Sequence, residues 1–361
     1  MKTTVDAAAF AAAIKSVSGI LKKSKVPQLA QVRVQFADDA CRVSATDMAA
    51  WLSADIPAAG AELSFVFRNT QKLLRVLSHL KGELTVEPFG AENDPKVYLH
   101  TSDMVGEFPV LEDTVHEEIP RIVPKHRYAV NPETLRLRVE SVSYATSIRE
   151  GRPASAGVRF QDQHIWCVDG YRMAIHEDNT LNVSAPFILP AAALKYLSAF
   201  KAKEGELLVG ADYAAITAGG LTLTCPLVER SDELQIETVL PKKFTETYQV
   251  SRRQYLDALR YLTACTNAKE HIYVAFDGSR LIAHDRHGKY AAKVQIAEGS
   301  SEVRYAFDLA YMKQAMEHFK DMEYVQLNAI SDFSPIVLRG GSVTAMVLPL
   351  RMKEATRAKA A

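Results

Sequence analysis

The chain has 361 residues, and its 43 lysines and arginines balance 43 aspartates and glutamates, so no strong global pull toward nucleic acid follows from net charge. Apolar residues make up 48% and charged residues 24%, which excludes wholesale disorder, and the length fits two or three domains. No apolar run approaches the ~20 residues that span a bilayer, and Met1 to Asp6 has no basic segment ahead of an apolar core, so a cytoplasmic protein with no membrane partner is expected.

The first predicted element is a helix with Phe10, Ile14 and Val17 on one face, Asp6 as its cap and Val5 before the cap. An alternating strand follows at Val32, Val34 and Phe36, then an acidic turn at Thr46-Asp47, then a second helix with Leu73, Leu77 and Leu80 on its apolar face. The same series starts again at Val130 and Asn131. It runs through Leu135, Val139 and Val142, the strand at Val158 and Phe160, the turn Val168-Asp169, and the helix at Ala193, Leu197 and Phe200. Strand-like segments at 206–210 and 222–224 close it. A third series starts at Val250 and Ser251. It runs through Tyr255, Leu259 and Leu262, the strand at Ile272, Val274 and Phe276, the turn His284-Asp285, and the helix at Met312, Met316 and Phe319, closing at 325–327 and 336–338. The offsets are 125 and 120 residues for the first helix, and 120 and 119 for the second. A constant offset near 120 predicts an α+β fold of three tandem copies, at 1–122, 123–244 and 245–361, with polar junctions at 120–126 and 242–247.

The helices and the loops after them are basic. The positions are Lys22, Lys23, Lys25, Lys72 and Arg75 in the first copy; Arg136, Arg138, Arg149, Arg152, Lys195 and Lys201 in the second; and Arg252, Arg253, Arg260, Lys269, Lys313 and Lys320 in the third. Acidic runs lie elsewhere, at 112–118 and 229–237. A single helix of this kind reads as a solvated face. Recurrence at matching positions favours one basic surface suited to phosphates.

Cys41, Cys167, Cys225 and Cys265 form no C-x-x-C pair and are expected to be buried reduced thiols. No phosphate-binding glycine loop, dinucleotide fingerprint or nucleophile elbow occurs, so no cofactor is expected. His284-Asp285-Arg286-His287 belongs to the recurring acidic turn rather than to a metal site, and no metal ligands are assigned. His164 and Cys167 lie three apart on one strand and project to opposite faces, which weakens a nucleophilic reading of His164, Cys167 and Asp169. No catalytic residue is assigned.

The motifs along the three copies resemble those of the bacterial sliding clamp, the beta subunit of DNA polymerase III. Val168-Asp169-Gly170-Tyr171-Arg172-Met173-Ala174 is similar to that family's T-D-G-H-R-L-A, Val239-Leu240-Pro241-Lys242 to V-L-P-K, and Val347-Leu348-Pro349-Leu350-Arg351-Met352 to V-M-P-M-R-L. Phe307-Asp308 with Tyr311 is similar to F-N-x-x-Y, and Phe108-Pro109-Val110-Leu111 to F-P-x-L. The resemblance implies a non-catalytic processivity factor whose head-to-tail homodimer encircles duplex DNA without reading its sequence. DNA polymerase, clamp loader and repair proteins would dock through short linear peptides. It places the peptide pocket at Ser155, Gly170, Tyr171, Arg172, Met173, Leu234, Val239, Asp308, Tyr311, Met346, Val347, Leu348, Pro349, Leu350 and Arg351. Met173, Val239, Leu348 and Leu350 are the expected apolar lining, with Arg172 and Arg351 as polar anchors.

The sequence departs from the family at Glu233-Leu234, where F-P is usual, at Ser155, where leucine is common, and at Leu348 and Leu350, which replace methionines. Between Glu83 and Phe108 two strand segments are legible where three are expected. A nine-residue tail, 353–361, follows the usual end. Two other readings stay open at this point: an enzyme using the Cys167 region, and a clamp-like interaction protein that binds clamp partners without encircling DNA.

Overall fold

The computed structural model describes residues 2–21, 26, 28–91, 93–114, 118–147, 153–229, 234–265, 273–276, 279–284, 290–296 and 305–350. One element series occurs three times. The first is β1 (Thr3–Asp6), α1 (Ala7–Ser18), β2 (Arg33–Ala37), β3 (Ala40–Thr46), β4 (Trp51–Gly60), β5 (Leu63–Phe67), α2 (Thr70–Leu77), β6 (Glu83–Ala91), β7 (Asp94–His100) and β8 (Val105–Leu111). The second is β9 (His126–Val130), α3 (Pro132–Ser143), β10 (Gly157–Asp162), β11 (His164–Val168), β12 (Arg172–Glu177), β13 (Val183–Pro190), α4 (Ala191–Leu194), β14 (Gly205–Val209), β15 (Tyr213–Ala218) and β16 (Leu221–Pro226). A four-residue helix, α5 (Ile236–Val239), precedes the third. That series is β17 (Glu246–Ser251), α6 (Arg252–Cys265), β18 (Tyr273–Phe276), β19 (Arg280–His284), β20 (Tyr290–Gln295), β21 (Tyr305–Asp308), α7 (Leu309–Glu317), β22 (Tyr324–Ala329), β23 (Ile336–Gly340) and β24 (Val343–Val347).

All eighteen residues assigned to the apolar faces of the paired helices are buried, from Phe10, Ile14 and Val17 to Met312, Met316 and Phe319. The caps form as expected. The Asp6 carboxylate accepts from Ala9 N–H at 2.8 Å, Asn131 accepts from Glu133 and Thr134 N–H at 3.0 and 3.1 Å, and Ser251 Oγ accepts from Gln254 N–H at 3.5 Å. Each satisfies a first-turn donor that has no partner inside the helix. The second helix of the second copy is α-helical only over α4 and continues as a 3-10 turn over Lys195–Ala199.

The first copy has its full set of strands. Three strands, β6, β7 and β8, occupy the stretch where the sequence showed two, and β6 and β7 pair from Thr85↔His100 to Ala91↔Asp94. Pro88 and Gly90 fall inside β6 and Pro95 inside β7, which blurs the alternation that marks a strand. The twelve-stranded sheet runs β1-β6-β7-β8-β5-β2-β3-β4-β16-β15-β14-β9, and β4 also pairs with β1, so the eight strands of the first copy close on themselves. The other sheets run β13-β10-β11-β12-β24-β23-β22-β17 and β20-β19-β18-β21.

By contacts the chain divides into two compact bodies, residues 1–136 with 192–227 and residues 137–191 with 228–361. The division runs through the middle of the second copy because antiparallel ladders join neighbouring copies. β4 of the first pairs with β16 of the second (Trp51↔Thr224 to Ala54↔Leu221), and β12 of the second pairs with β24 of the third (Arg172↔Val347 to His176↔Val343). Among the described residues no helix is long and apolar enough to cross a membrane.

Candidate partner-peptide pocket and helix-borne basic residues

Residues that the resemblance assigns to a peptide pocket come together where β12 meets β24. Directly opposed residues of an antiparallel pair project to the same face. Val168 faces Met173, Met173 faces Met346, and Met346 faces Val337, so one apolar stripe crosses four strands. Trp166, Met173, Ile175, Ile236, Val337 and Met346 are buried together, and half-buried Val168, Leu234, Val239, Leu240 and Phe244 pack against them. The segment 234–244 therefore lies along this stripe, with the Arg339 guanidinium 5.2 Å over the Phe244 ring.

Met173 is fully buried and Val347 likewise, so both lie beneath this surface rather than on it. The accessible apolar surface comes from Leu348 and Leu350, 36% and 41% exposed, and from half-buried Val168, Leu234, Val239 and Leu240. Pro349 is half-buried between the two leucines. Leu348 N–H donates to Tyr171 O at 2.8 Å and Leu350 N–H to Ala306 O at 2.7 Å, which ties the end of β24 to the acidic turn and to β21.

That turn is built by one carboxylate. Asp169 Oδ1 accepts from Tyr171 and Arg172 N–H at 2.9 and 3.1 Å, while its other oxygen accepts from Arg172 Nε at 3.0 Å. Gly170 takes the left-handed φ of 89° that the turn requires, and Met48 takes φ 70° at the matching place in the first copy, after Asp47. Arg172 is 9% exposed. Its guanidinium bonds Gln314 on α7 and lies 4.6 Å from the Tyr311 ring and 5.5 Å from the Tyr144 ring. Tyr171, 46% exposed, stacks at 6.1 Å on Tyr311. Arg172 is thus committed to holding β12 against α7, and Tyr171 is the aromatic that it presents to solvent.

Asp308 caps α7 through Ala310 and Tyr311 N–H. Ser155 closes its own loop: its hydroxyl donates to Ser147 O, and its carbonyl accepts from Ser147 N–H. Arg351 lies outside the described residues, as do Arg230 and Glu233, the tail 353–361 and Asp285. Sequence motifs did not single out Trp166, Ile236, Phe244, Tyr144 or Gln314. The first three were reachable only by knowing that 234–244 folds back on the sheet.

Of the basic positions, Lys72, Arg75, Lys195, Lys201 and Arg253 are exposed, and Arg136 and Lys313 are half-buried. Arg252 is engaged, donating to the C-terminal carbonyls of Met316 and Glu317 at 3.1 Å. Arg138 pairs with buried Asp178 and Thr180. The solvent face of α1 is mostly alanine, with Lys15 its one charge. Lys22, Lys23, Lys25, Arg149, Arg152 and Lys269 lie outside the described residues.

Three of the four cysteines, Cys41, Cys167 and Cys225, are buried and held protonated. Cys41 and Cys225 are buried and their thiols are pushed up to about 12, chiefly by burial; buried Cys167 moves in the same direction for the same reason. A thiol held protonated is a poor nucleophile. Cys265, at the end of α6, is exposed, contrary to the expectation for all four.

Three copies of an eight-stranded, two-helix unit define a clamp fold. Over the full chain it is the fold of the bacterial DNA polymerase III beta subunit. The subunit from Pseudomonas aeruginosa is similar at 17% identity, with a TM-score of 0.82 over 98% of this chain and 100% of that one. Those from Thermotoga maritima (18% identity, TM-score 0.79) and Streptococcus pyogenes (15%, 0.80) match over the same shares. No sequence-family model matches the chain, and no curated protein matches it in sequence. At these identities the likeness establishes the fold.

Proposed function

We propose that this chain is a DNA sliding clamp. Two copies close head to tail around duplex DNA, and short peptides of DNA polymerase, clamp loader and repair proteins dock in the pocket at β12 and β24. Each unit of the ring is one copy of the repeat, 1–122, 123–244 or 245–361, and the chain itself is non-catalytic.

The observation that carries the reading is the repeated junction. Twice within the chain, the strand after the acidic turn of one copy pairs with the last strand of the next: β4 with β16, and β12 with β24. The remaining strands in those two roles are β20 and β8. β20 ends its sheet, and Val105, which opens β8, is 71% exposed. Pairing β20 of one protomer with the first part of its partner's β8, which β5 pairs only through Val110 and Leu111, repeats the junction at both seams, closes the assembly at two copies and covers the β20 end of its sheet. A groove of about 770 Å³ beside β8 is lined in part by Lys72, Arg75 and His79.

Exposed Lys195, Lys201 and Arg253 supply sequence-independent phosphate contacts. A topologically closed ring needs no tight grip, which accords with zero net charge. The test is loading on nicked circular DNA. The solution mass should be about twice 39.9 kDa. Loaded protein should survive a salt wash and leave once the circle is cut. A concentration-independent monomer, or loss before cutting, refutes the clamp. Lys195→Glu with Lys201→Glu and Arg253→Glu should weaken DNA contact without unfolding the protein. A peptide with one glutamine and two large apolar residues should bind at about micromolar strength.

A further inference from the structure

The apolar stripe does not stop at Val168. Arg159 on β10 is directly opposite Trp166 on β11, and Trp166 is opposite Ile175 on β12, so all three share the face that carries Met173 and Met346. The Arg159 guanidinium lies 4.8 Å over the Trp166 ring. Both side chains are buried, at 5% and 1% exposure. The Trp166 Nε1–H is enclosed and has no hydrogen-bond acceptor. Buried indole donors normally find one, so its absence here calls for an explanation. The segment over this place, 234–240, is joined to the sheet by apolar side chains, while its hydrogen bonds are local: Thr238 N–H to Gln235 O and Leu240 N–H to Ile236 O. It can shift without breaking a ladder.

We propose that the partner-peptide pocket continues under Leu234 to Arg159 and Trp166, and that this extension receives a carboxylate of the bound peptide, carried by an acidic residue next to its apolar pair. The carboxylate accepts from Trp166 Nε1–H and lies beside the Arg159 cation. A charge-assisted bond in a water-excluded place is stronger than a neutral one, which selects an acid over its amide. The inference rests on the peptide-pocket reading above.

The test uses two peptides that share a glutamine and an apolar pair and differ only by Glu or Gln beside that pair. Calorimetry on the full chain should show the Glu peptide binding about tenfold tighter. Trp166→Phe keeps an aromatic ring and removes the donor; it should reduce the preference below twofold by weakening the Glu peptide. Arg159→Gln should reduce the preference in the same way. In the wild type, the Trp166 indole proton should move downfield with the Glu peptide and not with the Gln peptide. Equal binding of both peptides by wild type, or an undiminished preference in Trp166→Phe, overturns the extension and leaves the pocket standing. Failure of both peptides to bind removes the pocket and the extension together.

Discussion

Leu348 and Leu350 offer the sharpest test of the proposed pocket, because they are the most exposed of its apolar side chains. Full burial of a leucine is worth about 1.5–3 kcal/mol. At 36% and 41% exposure, the share left for a partner is about 0.5–1.2 kcal/mol each. Leu348→Ala with Leu350→Ala should therefore weaken a glutamine-bearing apolar peptide by about 1–2.5 kcal/mol, roughly 6- to 60-fold. Met173→Ala should behave differently. That side chain has no exposed surface to give a ligand, and its truncation should cost about 2–5 kcal/mol of folding stability instead. The assay is calorimetric titration at 25 °C, paired with denaturant unfolding of each variant. If the folded double variant binds within twofold of wild type, the peptide does not sit on this edge and the assignment fails.

Three further outcomes follow from the packing. In the native protein one of the four thiols, Cys265, should react with a disulfide reagent, and all four should react after denaturation; a second fast native thiol would contradict the burial of Cys41, Cys167 and Cys225. Tyr196→Phe removes a 2.6 Å bond to Asp47 Oδ2 and should cost about 1–2 kcal/mol, and roughly 2–4 °C in Tm for each of those, because Asp47 keeps the Ala49 and Ala50 N–H bonds. Burial, then the bond to Asp47, raises the Tyr196 hydroxyl above its ordinary value, so this stabilisation should be full below pH ~10 and decline above it; a wild-type advantage that grows with alkalinity would refute the bond. His318, stacked at 4.2 Å on Tyr144 and bonded to Gln314 O, is lowered mainly by burial. Its contribution is therefore full above pH ~6.5 and lost as pH falls below that, and His318→Phe should lose less stability between pH 7 and 5 than wild type.

The amino-acid sequence alone determined the threefold repeat, because its signals are local. Helical faces at i, i+4 and i+7, caps that reach one turn ahead, and alternation along a strand are properties of neighbouring residues, and they identified the buried helix faces from Phe10 to Phe319 and the caps Asp6, Asn131 and Ser251. The third strand at the end of the first copy escaped because Pro88, Gly90 and Pro95 interrupt alternation, while ladder pairing and the Phe89–Tyr98 stack at 3.6 Å hold β6 to β7 regardless. Motif likeness named residues that gather at β12 and β24, but not which of them face outward. Met173 and Arg172 are adjacent on β12: one is sealed under 234–244 and the other is committed to Asp169 and Gln314, which no spacing along the chain encodes. Only tertiary structure could decide that β4 pairs with β16, some 170 residues away, and β12 with β24, and that Arg159 and Trp166 meet on the pocket face. Those pairings are chosen by long-range strand register and by the closure of sheet edges, which depend on the whole fold rather than on any window of sequence.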